Sequence, residues 1–323
     1  MFTDLDEAGL LAYRSTQSRP SDFDAFWSDT IAAARAAAID TVAVRVDSGL
    51  TTVDVYDVTF SGFDGQPVRA WLRVPAGTAA PLPAVVEFVG YGGGRGRAVE
   101  NLFWASAGFA HLQMDTRGQG SMWSTGDTRD DAGSGPAVPG FLTRGVEDPE
   151  TYYYRRLVTD AVRAVDVALA HPLIDGSRVS VLGFSQGGGL ALAAAALQPG
   201  LARAFAFVPF LCDFPRAITI TDREPYRELG RYLAVHRDRA DAVLRTLSYV
   251  DGVNFAAGAR VPIRFSAAMM DPTCPPSTVY GAFHAYAGPK ELQLWTYNGH
   301  EGGGIDDEVG ALRVLREHPQ PVG

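Results

Sequence analysis

The chain predicts an α/β protein: a mostly parallel, doubly wound sheet, antiparallel strands at its amino-terminal edge, and a helical insertion before the penultimate strand. Three observations carry this. Short, continuously apolar runs at 84–89, 108–114, 179–182, 204–208, 263–267 and 292–295 read as strands buried on both faces. Helical segments at 152–170, 188–197 and 278–286 separate most of them, an alternation that needs a parallel sheet covered on both sides. Between 42 and 74 the pattern has period two instead, as in Val42-Ala43-Val44-Arg45-Val46 and in 68–74, which marks strands with one solvated face.

In chain order, residues 1–38 form an amino-terminal arm ending in a helix over 22–38. Pro20-Ser21-Asp22 supplies its stop and cap signals, and the alanines supply propensity. Asp64-Gly65 is the turn between two edge strands. After Pro81 and Pro83 the buried strands begin. The segment 210–259 breaks their rhythm; it is charged and helical, and it falls between two core strands. It reads as an insertion, so residues 1–323 are expected to form one domain.

Composition narrows the function classes. A hydrophobic content of 46% over 323 residues supports a large core. The net charge of −9, with no basic cluster, argues against a nucleic-acid partner. The longest apolar stretch, 190–197, falls far short of the about 20 residues that span a bilayer. The start, Met1-Phe2-Thr3-Asp4-Leu5-Asp6-Glu7, has no basic region followed by an apolar one, so no signal peptide is expected. Two cysteines, Cys212 and Cys274, make no disulfide framework, and a reducing, cytoplasmic setting is the expectation.

The richest stretch is Gly183-Phe184-Ser185-Gln186-Gly187, between the β-branched run 178–182 and the small-residue helix that begins at Gly188. A serine on a sharp strand-to-helix turn presents its hydroxyl at the sheet's carboxyl edge, beside the helix's positive end. Glycines two before and two after remove the Cβ atoms that would collide there. The competing reading is a glycine-rich turn with a structural serine.

A serine hydroxyl needs an imidazole to take its proton, and the imidazole needs a carboxylate to fix its tautomer. In the α/β-hydrolase arrangement the order along the chain is Ser, Asp or Glu, then His. Of six histidines, His284, His300 and His318 follow Ser185 with an acid between. His300 opens a loop directly after the last strand, where this architecture gathers its functional groups. His284 falls among aromatics in a helix, and His318 lies beside Pro319 close to the end. His111 and His171 precede the serine, and His236 sits in the insertion. Asp271 closes the strand 263–267 in a proline-rich turn, against the alternative of a helix cap. Asp251 has no strand before it, and Asp306 and Asp307 come after the histidine.

A developing oxyanion needs donors: the amide of Gln186, next after the serine, and that of Tyr91, in the loop after strand 84–89. The loop Gly90-Tyr91-Gly92-Gly93-Gly94-Arg95-Gly96 fits neither nucleotide-binding glycine spacing. His300-Glu301 lacks the second histidine of H-E-x-x-H, since Gly304 stands there. No cofactor and no metal are therefore expected.

Three motifs together resemble carbohydrate esterase family seven, the acetyl xylan esterases and cephalosporin C deacetylases: Arg117-Gly118-Gln119-Gly120, the Ser185 turn, and His300-Glu301. The likeness extends from Arg19-Pro20-Ser21-Asp22 through Thr151-Tyr152-Tyr153-Tyr154-Arg155-Arg156 and Asp271-Pro272-Thr273-Cys274 to the last helix. It implies Ser185 as nucleophile, Asp271 as orienting acid, His300 as base, and Tyr91 and Gln186 as oxyanion donors. Arg117 and Gln119 read as braces of a loop. The resemblance also implies a small acetyl ester as substrate and assembly into a ring-shaped hexamer; the short apolar stretches, independently, lead us to expect no membrane partner. Phe184 and Pro272 depart from the family's pattern. The expected function is therefore a serine esterase acting on small acetate esters. The rivals are a serine peptidase of the same fold, which usually carries a propeller domain that does not fit here, and a non-catalytic binding module, which typically lacks a triad member.

Overall fold

The computed structural model describes residues 1–132 and 135–317. Nine strands form one sheet in the order β1-β2-β3-β5-β4-β6-β7-β8-β9. They are β1 (Val42–Val46), β2 (Val53–Ser61), β3 (Pro67–Pro75), β4 (Leu82–Phe88), β5 (Ala110–Met114), β6 (Ile174–Phe184), β7 (Arg203–Phe207), β8 (Ile263–Ala268) and β9 (Lys290–Trp295). Strands β1 to β3 are antiparallel, and β3 also runs antiparallel to β5. From β5 to β9 every neighbour is parallel. The period-two segment thus forms one edge of the sheet, and the continuously apolar runs form its centre.

Alternation along β4 divides the core. Ala84, Val86 and Phe88 join the larger cluster, which includes residues of α2 (Phe23–Ala36), α4 (Tyr153–Ala170), α5 (Gln186–Leu197), α9 (Gly252–Gly258) and α10 (Pro276–Ala285). Val85 points the other way, into a smaller cluster with Trp104 of α3 (Phe103–Ser106) and Ala311 of α11 (Ile305–Glu317). Helix α5 has no polar face because it is buried from Gln186 to Ala195. The short helix α1 (Glu7–Ala12) opens the arm.

Four helices lie between β7 and β8: α6 (Phe214–Ile220), α7 (Tyr226–Val235), α8 (Ala240–Ser248) and α9. Their surface is charged, yet Phe214, Tyr226, Leu229, Val243 and Leu247 sink into the larger cluster. One local expectation is corrected. Helix α2 starts at Phe23 without a side-chain cap from Asp22, whose carboxylate instead accepts the Tyr249 hydroxyl at 2.6 Å. A tertiary donor has outcompeted the helix's own amides. Among the described residues no helix is long and apolar enough to cross a membrane.

Candidate active site

The loops that follow β4, β6, β8 and β9 meet at the carboxyl edge of the parallel strands. Ser185 directly follows β6 and caps α5 with φ 56 and ψ −117, a left-handed conformation that is strained for a residue with a Cβ. The chain makes this turn because its neighbours lack side chains. A Cβ on Gly183 would stand 2.1 Å from the Gly187 carbonyl carbon, and one on Gly187 would stand 2.0 Å from the Phe88 oxygen. Main-chain bonds hold the turn: Ser185 N–H donates to Phe207 O at 2.9 Å, and Ser185 O accepts from Phe210 N–H at 2.9 Å.

His300 Nε2 lies 2.9 Å from Ser185 Oγ, and His300 Nδ1 lies 2.8 Å from Asp271 Oδ2. The tautomer that satisfies both bonds carries its proton on Nδ1, leaving Nε2 to accept the serine O–H. Asp271 is fully buried; its Oδ1 accepts the amides of Thr273 at 2.8 Å and Cys274 at 2.9 Å, so its own turn aims the free oxygen at the imidazole. Thr3 of the arm steadies this turn by donating its hydroxyl to Asp271 O at 2.9 Å. The His300 loop is held from behind. Asp307 accepts from Gly303 N–H at 3.0 Å, from the Ser266 hydroxyl at 2.9 Å and from Trp295 Nε1 at 3.1 Å. Phe184 sets its ring edge-on to the imidazole, with centroids 5.5 Å apart.

On the other side, neither Tyr91 N–H nor Gln186 N–H has a hydrogen-bond acceptor among the described residues. Side chains lock the two loops together. Gln119 Oε1 accepts Gly92 N–H at 2.6 Å, while its Nε2 donates to Gln186 Oε1 and to the Tyr153 hydroxyl, both at 3.0 Å. The Tyr154 hydroxyl also donates to Gln186 Oε1, at 2.9 Å, and Gln186 Nε2 donates to Val89 O at 3.2 Å. Burial raises the Tyr153 and Tyr154 hydroxyls above their ordinary value, so both stay neutral donors.

One group of three side chains among the described residues could hold a metal ion: Asp271, Cys274 and His300, with ligand atoms within 4.8 Å of one another. Both imidazole nitrogens there already serve Asp271 and Ser185, so a metal would have to break that chain. Burial and the nearby Asp271 push the Cys274 thiol well up, which keeps it protonated and unreactive.

Residues 1–317 match the sequence profile of the acetyl xylan esterase (AXE1) family. The chain belongs to that family. Its similarity to the acetyl esterase Axe7A of Xylanibacter ruminicola is 28% identity over 286 residues; this covers 87% of the chain but 63% of the relative's length. Among solved structures it resembles an acetyl xylan esterase from Paenibacillus sp. R4, with TM-score 0.91, 36% identity, and coverage of 97% of this chain and 99% of the other. Acetyl xylan esterase 1 from Thermoanaerobacterium sp. JW/SL YS485 gives TM-score 0.88 and 29% identity, over 96% and 98% of the two chains. The fold is the α/β-hydrolase fold.

All five residues singled out from the sequence converge on this edge. Three of the rejected candidates take no part in this chain of hydrogen bonds or cannot be placed in it. His284 is in α10, edge-on to the Tyr280 ring; Asp251 is buried, accepting the amides of Asp213, Phe214 and Val253; His318 lies outside the described residues. Sequence reasoning missed Asp307 as a loop support, because it was weighed only as an orienting acid. It also understated Gln119, whose motif hinted at a brace but not at a link between two loops. Glu228, whose carboxylate accepts the Tyr91 hydroxyl, carried no signal at all.

Proposed function

We propose that the protein is a serine esterase that removes acetyl groups from small acetylated alcohols through an acyl-enzyme. The observation that carries this is the chain Ser185–His300–Asp271, at 2.9 and 2.8 Å, in loops that also hold the two unpartnered amides of Tyr91 and Gln186. His300 Nε2 takes the hydroxyl proton as Ser185 Oγ bonds to the ester carbonyl carbon. The carbonyl electron pair moves onto oxygen, where the amides of Tyr91 and Gln186 receive it, each worth about 3 kcal/mol. The C–O bond to the alcohol then breaks, and His300 returns the proton to the departing oxygen. Water, deprotonated by His300, attacks the acetyl-serine; acetate leaves and the hydroxyl is restored. Asp271 holds the imidazolium in place through its bond to Nδ1.

Acetylated xylo-oligosaccharides are the favoured substrate class, supported by the family and by the names of the two structural relatives. Cephalosporin C, another acetate ester, is the second. The free, buried Cys212 and Cys274 support a reducing, cytoplasmic setting. Self-association, up to the hexamer, is supported by the outermost strand β1, where Val42 and Val44 are 55% and 58% exposed. A single domain is supported by the 214–247 side chains that share a core with the strands.

The test is Ser185→Ala. Hydrolysis of 4-nitrophenyl acetate should fall by about 10⁴-fold or more, with the melting temperature preserved. A fluorophosphonate should add its mass to the peptide holding Ser185. A Ser185→Ala variant that keeps most of its activity would overturn the mechanism.

A further inference from the structure

Tyr91 is fixed by its side chain as well as by its loop. Its hydroxyl donates to Glu228 Oε1 and accepts from Phe141 N–H at 2.7 Å. The second carboxylate oxygen, Glu228 Oε2, accepts Leu142 N–H at 2.9 Å. Glu228 comes from the first turn of α7, is 3% exposed, and lies 137 residues from Tyr91 in the chain. The segment 140–142 is shaped around this carboxylate. Gly140 has φ +129, and a Cβ there would stand 2.2 Å from Glu228 Oε1. Aromatic rings close the surroundings: Phe141 and Phe210 meet the Tyr91 ring edge-on at 5.6 and 6.1 Å, and Phe210 rests on Tyr226 at the start of α7.

A buried carboxylate is costly unless every oxygen is used. Here both oxygens face donors, the Tyr91 hydroxyl and the Leu142 amide. An apolar side chain of similar size would fill the space more cheaply, so filling space does not account for the charge. What the carboxylate adds is direction: it pins the tip of the Tyr91 ring, and the ring pins the main chain at its root.

We propose that Glu228 is a positioning residue for the oxyanion hole: by clasping the Tyr91 hydroxyl and the 140–142 segment, it sets the aim of the Tyr91 main-chain N–H. This rests on the esterase reading above. An amide aimed at the transition-state oxygen contributes little to binding the flat ester, so loosening it lowers kcat and leaves KM nearly unchanged.

The experiment uses the full chain, with initial rates on 4-nitrophenyl acetate and thermal melting measured for each variant. Glu228→Gln keeps the shape but presents an N–H donor to one of the two donors it must satisfy. Tyr91→Phe keeps the ring and removes the hydroxyl. Each should lower kcat about 10- to 100-fold, the effect of a displacement near 1 Å, with KM changing by less than about threefold. The double variant should be no slower than the slower single one, because both cut the same link. Fluorophosphonate labelling of Ser185, whose P=O oxygen uses the same amides, should slow in parallel. A Glu228→Gln protein that melts lower but keeps kcat within about twofold would overturn the proposal and leave a purely structural brace. If that variant does not fold, Tyr91→Phe decides by the same criterion. Failure of the esterase reading shows separately, as wild-type hydrolysis that survives Ser185→Ala, and the clasp would fall with it.

Discussion

The two sides of the site are held in different ways. On the Asp271–His300 side, support is mostly local. The Asp271 carboxylate is aimed by amides two and three residues ahead of it, and the His300 loop is braced by Asp307, four residues beyond Gly303. On the Tyr91–Gln186 side, support comes from afar: Gln119 spans 67 residues to Gln186, and Glu228 spans 137 to Tyr91. The difference follows from the task. A single turn suffices to point one side chain, and the imidazole completes the geometry by bonding to both neighbours. Two amides from separate loops have no bond to each other, so their relative placement must come from cross-links through third parties.

This contrast can be broken by substitution. The largest effect should come from Asp271→Asn, which leaves the turn and its backbone amides in place but presents the wrong hydrogen-bonding group to His300 Nδ1. Rates should fall about 10³- to 10⁴-fold with little change in melting temperature. Gln119→Ala should follow, at about 10²-fold in kcat, because it frees Gly92 and Gln186 together. A rate within about threefold of wild type would mean that the far-reaching links do not set the amides. Asp307→Asn should cost about tenfold, since it keeps one acceptor and the loop retains its own turn; a loss as large as that of Asp271→Asn would erase the distinction between local and distant support.

The smallest effect is one of stability, and it compares two acids. Burial pushes the carboxyls of both Glu228 and Glu308 up to about 7 from an ordinary 4.5. Glu228 recovers part of the cost through its two donors. Glu308, beside the carboxylates of Glu87 and Asp307, accepts no hydrogen bond among the described residues. Below pH 4.5 such a carboxyl is protonated folded or unfolded and carries no penalty. As pH rises toward 7 the unfolded chain ionises first, so stability falls; above 7 the penalty is full. At about 1.4 kcal/mol per pH unit the ceiling is about 3 kcal/mol, reduced to about 1–2 by partial exposure. Glu308→Gln should therefore raise the melting temperature at pH 8 and have little effect at pH 4.5, measured by calorimetry at both. A variant equally stabilised at both would show packing, not charge, to be the cause.

Much of this was legible in the sequence. Uninterrupted apolar runs mark parallel strands because both faces are buried, and the edge strands show period two because one face is wet. Ser185, Asp271 and His300 could be placed because each lies in the loop after a strand, in the order this fold uses. Asp22, Thr3, Asp307 and Glu228 could not. Each acts through a partner set by folding, and nothing in the residues around Asp22 reveals that Tyr249 will take its carboxylate. The same holds for Glu228, one acid among many in a charged helical segment until α7 is laid against Tyr91.

The backbone twist at Ser185 has an evolutionary corollary. With φ at 56, a glycine would sit there without steric protest, so Ser185→Gly should trade all turnover for about 1 kcal/mol of added stability. Screening libraries of this protein for heat tolerance alone would accordingly enrich sturdy, inert descendants, and only selection that also demands product would keep the hydroxyl in place.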